Sequence, residues 1–147
     1  GAYVQDGKGN NIPVHMGSYG IGISRLVGAV IEAFHDDLGI KWPLNLAPFK
    51  ISLINLMVDN KNCNKASEEI YQNLNILSDD ILYDDRECSI GKKLSDNDLI
   101  GTPYQIIIGK RDLENNLVEI KNRFKNKSQK ISVSEVKNFI SEKIIES

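Results

Sequence analysis

In Met16-Gly17-Ser18-Tyr19-Gly20-Ile21-Gly22-Ile23-Ser24-Arg25-Leu26, two glycines and an arginine stand where an extended run turns into a helix. Glycine leaves backbone bare for a flat or charged group to approach, and a guanidinium grips phosphate oxygens in pairs. The chemistry that fits is a nucleoside triphosphate lying against Gly20 and Gly22 with Arg25 on its phosphates. Close packing of helix on strand uses the same pattern. Gly-Xaa-Gly here is not the dinucleotide fingerprint, because the third glycine and the following acidic residue are missing. Gly91-Lys92-Lys93 lacks the upstream glycine and the hydroxyl of a P-loop.

Three polar stretches follow apolar runs: Asp59-Asn60-Lys61-Asn62, Asp84-Asp85-Arg86-Glu87 and Lys110-Arg111-Asp112. Their mixture of acids, amides and bases suits the hydrogen-bonding edges of unpaired bases. Tyr83 or Tyr104 could stack on such a base; core packing is the competing use, and the stronger one for Tyr104. Asp84 and Asp85 have no histidine or metal cluster to complete an acid–base site. His15 and His35 lack ligand-spaced partners, so no metal site is expected. Lys110, Arg111, Lys121, Arg123, Lys125, Lys127 and Lys130 concentrate late in the chain, as a solvated hairpin face or a phosphate-contacting one.

The 147 residues are 41% hydrophobic and 26% charged, with a formal net charge of −2. This is the composition of a soluble globular protein and argues against a general nucleic-acid binder, though not against a local basic face. With no long apolar run and no basic-then-apolar leader, a cytoplasmic protein that does not meet the membrane is expected. Cys63 and Cys88 lie far apart and read as free thiols in a reducing compartment.

These residues need elements to position them. Gly7 to Asn11 has turn chemistry between Ala2-Tyr3-Val4 and Ile12-Pro13-Val14. Val14 to Tyr19 reads as a strand, and Ile23 to about Leu38 as a helix closed by Gly39. Pro43 and Pro48 then make an extended connector. Past it the pattern alternates: a central strand over Phe49 to Val58, a helix over 63–77 with Ala66, Ile70, Leu74 and Leu77 on one stripe, and a strand Ile81 to Tyr83. A helix Lys92 to Ile100 closes at Gly101, followed by strand Tyr104 to Ile108 and two strands, Leu117 to Arg123 and Gln129 to Ser132. Ser132-Val133-Ser134-Glu135 has capping-box spacing before a last helix with Val136, Phe139, Ile140 and Ile144 inward. The order β-α-β-α-β-β-β-α predicts an α/β fold: a mixed five-stranded sheet flanked by helices, preceded by a strand–helix remnant of another domain. The division falls at residues 1–47 and 48–147.

Gly17-Ser18-Tyr19-Gly20-Ile21-Gly22-Ile23-Ser24-Arg25-Leu26-Val27 resembles motif 3 of class II aminoacyl-tRNA synthetases, in its prolyl form. Trp42-Pro43 through Leu46-Ala47-Pro48-Phe49 resembles the junction to their anticodon-binding domain. Tyr83-Asp84-Asp85-Arg86, Gly91-Lys92-Lys93-Leu94, Asp98-Leu99-Ile100-Gly101-Thr102-Pro103 and Ile108-Gly109-Lys110-Arg111 resemble that domain itself. The resemblance implies a ligase of bacterial type that activates proline with ATP and Mg²⁺ and passes it to tRNA(Pro), working as a homodimer. It implies that Arg25 is the catalytic arginine on the ATP phosphates, that Gly20 and Gly22 leave room for adenosine and substrate, and that Ser18 lies beside the prolyl pocket. It also implies that Arg86, Glu87, Lys93, Asp112, Lys121 and Arg123 meet anticodon bases or nearby phosphates.

Class II motifs 1 and 2 are missing from these residues, so the chain is expected to bind the anticodon arm, to hold no cofactor and not to catalyse. The orphaned strand at Val14 to Tyr19 should be poorly anchored or should pair with another copy. The competing readings are an accessory RNA-binding protein of the same fold, the matching part of a histidyl, threonyl or glycyl enzyme, and a flavodoxin-like domain. The last needs a phosphate-binding first loop that Asp59-Asn60-Lys61-Asn62-Cys63 does not resemble.

Overall fold

The computed structural model describes residues 1–75 and 80–145. The chain opens with a hairpin, β1 (Tyr3–Gln5) and β2 (Asn11–Pro13), closed by the Asp6 carboxylate accepting from the Lys8 and Asn10 amides. Residues 14–22 carry no regular structure and are exposed. The strand expected at Val14 to Tyr19 is therefore absent, since no neighbouring strand offers it a ladder.

Helix α1 (Ile23–Ala33) stops well short of Leu38. Its C-terminal carbonyls, those of Ile31 and Glu32, accept from the His35 ring nitrogen at 3.2 and 3.0 Å. A tight hairpin follows, β3 (His35–Asp36) with β4 (Gly39–Ile40). Asp36 accepts from the Leu38 amide, and Gly39 turns the chain at φ +137°. Gly39 thus closes this hairpin and not the helix. The connector contains one 3-10 turn, Leu44–Leu46.

The sheet comprises β5 (Ile51–Asn55), β6 (Ile81–Asp84), β7 (Tyr104–Ile108), β8 (Leu117–Asn122) and β9 (Lys127–Ser132), in the order β6-β5-β7-β8-β9. β5 is parallel to both β6 and β7, while β8 and β9 run antiparallel. This is the mixed five-stranded sheet that the pattern predicts, with the first strand interior and buried throughout. Helices α2 (Lys61–Asn75), α3 (Ile90–Ile100) and α5 (Val136–Ile145) flank it. Gly101 closes α3 in the left-handed region, φ +79°. Leu77 of the predicted apolar stripe lies outside the described residues.

Alternation along the strands gives the sheet two unlike faces. Ile51, Leu53, Ile106, Ile108, Val118 and Ile120 pack with Ile70 and Leu74 of α2 and Val136 and Ile140 of α5 in one apolar core. The alternate residues Ser52, Asp84, Gln105 and Lys121 bond to α3 and the turn after it. Ser52 meets Thr102 at 2.7 Å, Asn97 donates to Asp84 at 2.8 Å, and Gln105 donates to the Asn97 carbonyl at 3.1 Å. Lys121 donates to both Asp98 oxygens at 2.6 and 2.8 Å.

Two local expectations differ. Lys110–Leu113 forms a one-turn helix, α4, that the apolar periodicity does not show. The capping box before α5 does not form: the Ser132 hydroxyl bonds the Ser134 hydroxyl at 2.9 Å, and a 3-10 turn, Val133–Glu135, precedes the helix. Among the described residues, no helix is long and apolar enough to cross a membrane.

Candidate nucleic-acid interface

From β5 the chain passes through α2 to β6 on one side; from β7 it passes through α4 to β8 on the other. The carboxyl ends of β5 and β7 thus form a switch point, where α/β sheets leave a crevice for a ligand. A cleft of about 320 Å³ lies there. Asn60, Asn62, Cys63, Lys65 and Glu69 line one wall, and Lys110, Leu113 and Glu114 the other.

The cleft is held by backbone and amides. The Leu56 amide donates to the Ile108 carbonyl at 3.0 Å, tying the strand ends together. Asn60 caps α2 by accepting from the Asn62 and Cys63 amides. Asn55 donates to Asn64, and Asn64 to the Val58 carbonyl, each at 2.6 Å. Burial pushes the Cys63 thiol up, so it stays protonated and acts as an apolar floor. The charges on the rim are only loosely paired: Lys65–Glu69 at 3.8 Å and Lys110–Glu114 at 4.0 Å, all exposed. Such helical pairs contribute at most about 0.5 kcal/mol, so an incoming phosphate or base edge can replace them.

The sequence candidates divide by position. Glu87 is exposed beside the carboxyl end of β6. Arg86 lies there too, but it forks onto Asp84 at 2.9 and 2.8 Å and reaches Asp96 at 2.9 Å. The hydrogen bonds from Arg86 hold the Asp84 carboxyl below the usual range, against the effect of burial. Asp112 of α4 pairs with Lys130 at 2.5 Å. Lys93 is buried and donates to the Asn55 carbonyl, so it braces the crevice from beneath and offers no open surface.

Lys121 and Arg123 lie at the opposite end of the sheet. β8 runs antiparallel, which sets Lys121 across from Gln105 near the start of β7. Both are committed to protein carboxylates, Lys121 to Asp98 and Arg123 to Asp36. Tyr83 stacks on Tyr71 with ring centroids 5.5 Å apart, a packing role. Lys65, Glu69 and Glu114 are not among the sequence candidates; their signal is two i,i+4 charge pairs, Lys65–Glu69 within α2 and Lys110–Glu114 just past β7.

Ser18, Gly20, Gly22 and Arg25 are all exposed at the start of α1. A Cβ at Gly20 would meet nothing within 4 Å. Among the described residues, the Arg25 side chain makes no hydrogen bond or ion pair. The apolar side of α1 is uncovered as well: Ile23 is 81% exposed and Val27 55%.

Residues 50–143 match the family model described as the anticodon binding domain. The chain belongs to that family. Curated relatives extend the likeness beyond this anticodon-binding domain. The chain is 51% identical over 139 residues to the proline–tRNA ligase of Wolbachia sp. subsp. Brugia malayi (strain TRS), covering 95% of this chain and 32% of that one. It is 49% identical over 132 residues to the proline–tRNA ligase of Zymomonas mobilis subsp. mobilis (strain ATCC 10988), covering 90% and 30%. The chain therefore spans about a third of the length of these relatives. The fold agrees with a prolyl-tRNA synthetase from Cryptosporidium parvum solved with L-proline and AMP, at TM-score 0.74 and 22% identity over 98% of this chain and 32% of that one.

Proposed function

We propose that this chain is part of a proline–tRNA ligase, in which the sheet domain reads the anticodon arm of tRNA(Pro) and residues 16–26 form one edge of the pocket for ATP and proline. The observation that carries the reading is the switch-point crevice in a chain of the anticodon-binding family that shares about half its residues with proline–tRNA ligases. The crevice combines cations for phosphates with amides and carboxylates for base edges. Glu87, past the carboxyl end of β6, is an exposed acceptor at the same end of the sheet, and Asp112 lies on α4 paired with Lys130; Arg86 and Lys93 brace that end, while Lys121 and Arg123 brace the far one. A cytoplasmic location accords with that role.

In the whole enzyme, ATP with its Mg²⁺ is a substrate. Arg25 would hold its phosphates and steady charge as the proline carboxylate attacks the α-phosphate. Bare backbone at Gly20 and Gly22, with Ser18 beside them, suits the approach of nucleotide and amino acid. The uncovered stripe Ile23, Leu26 and Val27 is apolar surface for the rest of a dimeric ligase to cover. On this reading, proline-dependent pyrophosphate exchange by these 147 residues alone should stay at background.

Titration with an anticodon stem-loop bearing a proline anticodon, against the same stem with a scrambled loop, tests the RNA role. The reading expects at least tenfold tighter binding of the proline loop. Equal affinities falling steeply with salt would reduce the interaction to generic charge attraction and refute it.

A further inference from the structure

At the end of the sheet away from the crevice, the β3–β4 hairpin is wedged against the end of α3. Arg123 is fully buried there, and its guanidinium forks onto the Asp36 carboxylate at 2.8 and 2.6 Å while its Nε donates to the Asp98 carbonyl at 3.2 Å. The backbones nearly touch. A Cβ on Gly101 would fall 2.1 Å from the Ile40 carbonyl oxygen, and one on Gly39 would fall 2.4 Å from the Leu99 Cα. Trp42 donates its amide to the Gly101 carbonyl at 3.3 Å and its indole N–H to the Ile100 carbonyl at 3.1 Å. Phe34 packs on Phe124 at 6.0 Å, and the Lys41 ammonium lies 5.5 Å above the Phe124 ring.

This joint leaves α1 little freedom to swivel. The Phe34 amide still donates to the Val30 carbonyl at 2.9 Å, and the Lys41 amide returns to the Phe34 carbonyl at 2.8 Å, so helix and hairpin move together. Apolar contacts alone would tolerate sliding; a planar fork closed on a carboxylate fixes both distance and angle. We propose that Asp36 and Arg123 are positioning residues that hold α1, and with it Arg25, in one orientation relative to the RNA-reading sheet, so that they govern transfer to RNA and not nucleotide chemistry.

This inference rests on the ligase reading. Its test compares Asp36→Asn and Asp36→Glu in the full-length ligase by two assays: proline-dependent pyrophosphate exchange, which needs no RNA, and charging of tRNA(Pro). Asp36→Asn should lower kcat for charging at least tenfold, with the KM for tRNA and the exchange rate within twofold of wild type. Asp36→Glu, which keeps a carboxylate for the fork, should retain charging within threefold. Exchange and charging falling by the same factor, or neither falling, would overturn it. Wild-type enzyme without proline-dependent exchange would instead sink the ligase reading. The joint is then judged on the present chain by amide exchange of residues 34–42: Asp36→Asn should speed it tenfold or more while the amide chemical shifts of the β5–β9 sheet stay in place, and unchanged rates would overturn the proposal.

Discussion

The two faces of the five-stranded sheet are built from opposite materials. Against α2 and α5 the strands present isoleucine, leucine and valine. Against α3 they present Ser52, Asp84, Gln105 and Lys121, and the helix answers with Lys93, Asn97 and Asp98. Apolar burial is non-directional, so the first face holds the fold without choosing a unique register with its helices. The second holds only where donors meet acceptors, so it sets the place of α3 and of everything attached to it. The charged residues that look most like RNA readers in the sequence mostly belong to that second face.

Substitutions should separate the faces. Ile106→Ala removes a fully buried side chain from the apolar core and should cost about 4 kcal/mol, read as a fall in the urea midpoint with the slope unchanged. On the polar side, Asp36→Asn strands the buried Arg123 and should cost about 3 kcal/mol at pH 7, the low end for a broken buried pair because Asp36 is partly exposed.

The second loss should depend on pH. The hydrogen bonds from Arg123 hold the Asp36 carboxyl below the ordinary range, with burial opposing them. A carboxyl lowered on folding stabilises the fold above its unfolded value of about 3.9 and loses that contribution as pH falls through the folded value. The gap between wild type and Asp36→Asn should thus be widest above about pH 5 and narrow steadily towards pH 2. A gap that does not change with pH would mean that the carboxylate is not what matters. The corresponding gap for Ile106→Ala should be flat across the same range.

Smaller effects belong to the surfaces. Lys110→Ala should weaken binding of the proline stem-loop about fivefold, roughly 1 kcal/mol, without moving the melting temperature, because its partner Glu114 is exposed. Leu26→Ser should change the stability of this chain by less than about 0.5 kcal/mol, since that side of α1 is already open to water. A large loss there would show that α1 packs on the sheet domain in solution.

The apolar face was legible in the sequence. Runs such as Ile51 to Ile54 and Ile106 to Ile108 mark interior strands, and Ile70 with Leu74 marks the helix that covers them. The polar face was not, because a buried lysine or arginine reads as a surface residue until its partner is known. Arg123 and Asp36 are 87 positions apart, and no local pattern joins them. Strand direction mattered too: the antiparallel run of β8 carries Lys121 and Arg123 to the end away from the crevice, whereas Lys110 and Asp112, following a parallel strand, stay beside it. The overlong α1 has a local cause, since the Asp36-to-Gly39 turn keeps the apolar spacing of a helix while folding back as a hairpin.

Residue-by-residue amide shifts during titration with the proline anticodon stem-loop test the account most directly. Shifts should concentrate at 57–65, 85–88 and 109–115, around the carboxyl ends of β5, β6 and β7, and should be missing for the scrambled loop. Shifts centred instead on residues 121–125 and the β3–β4 hairpin, or equal for both loops, would contradict the assignment of RNA reading to the switch-point crevice.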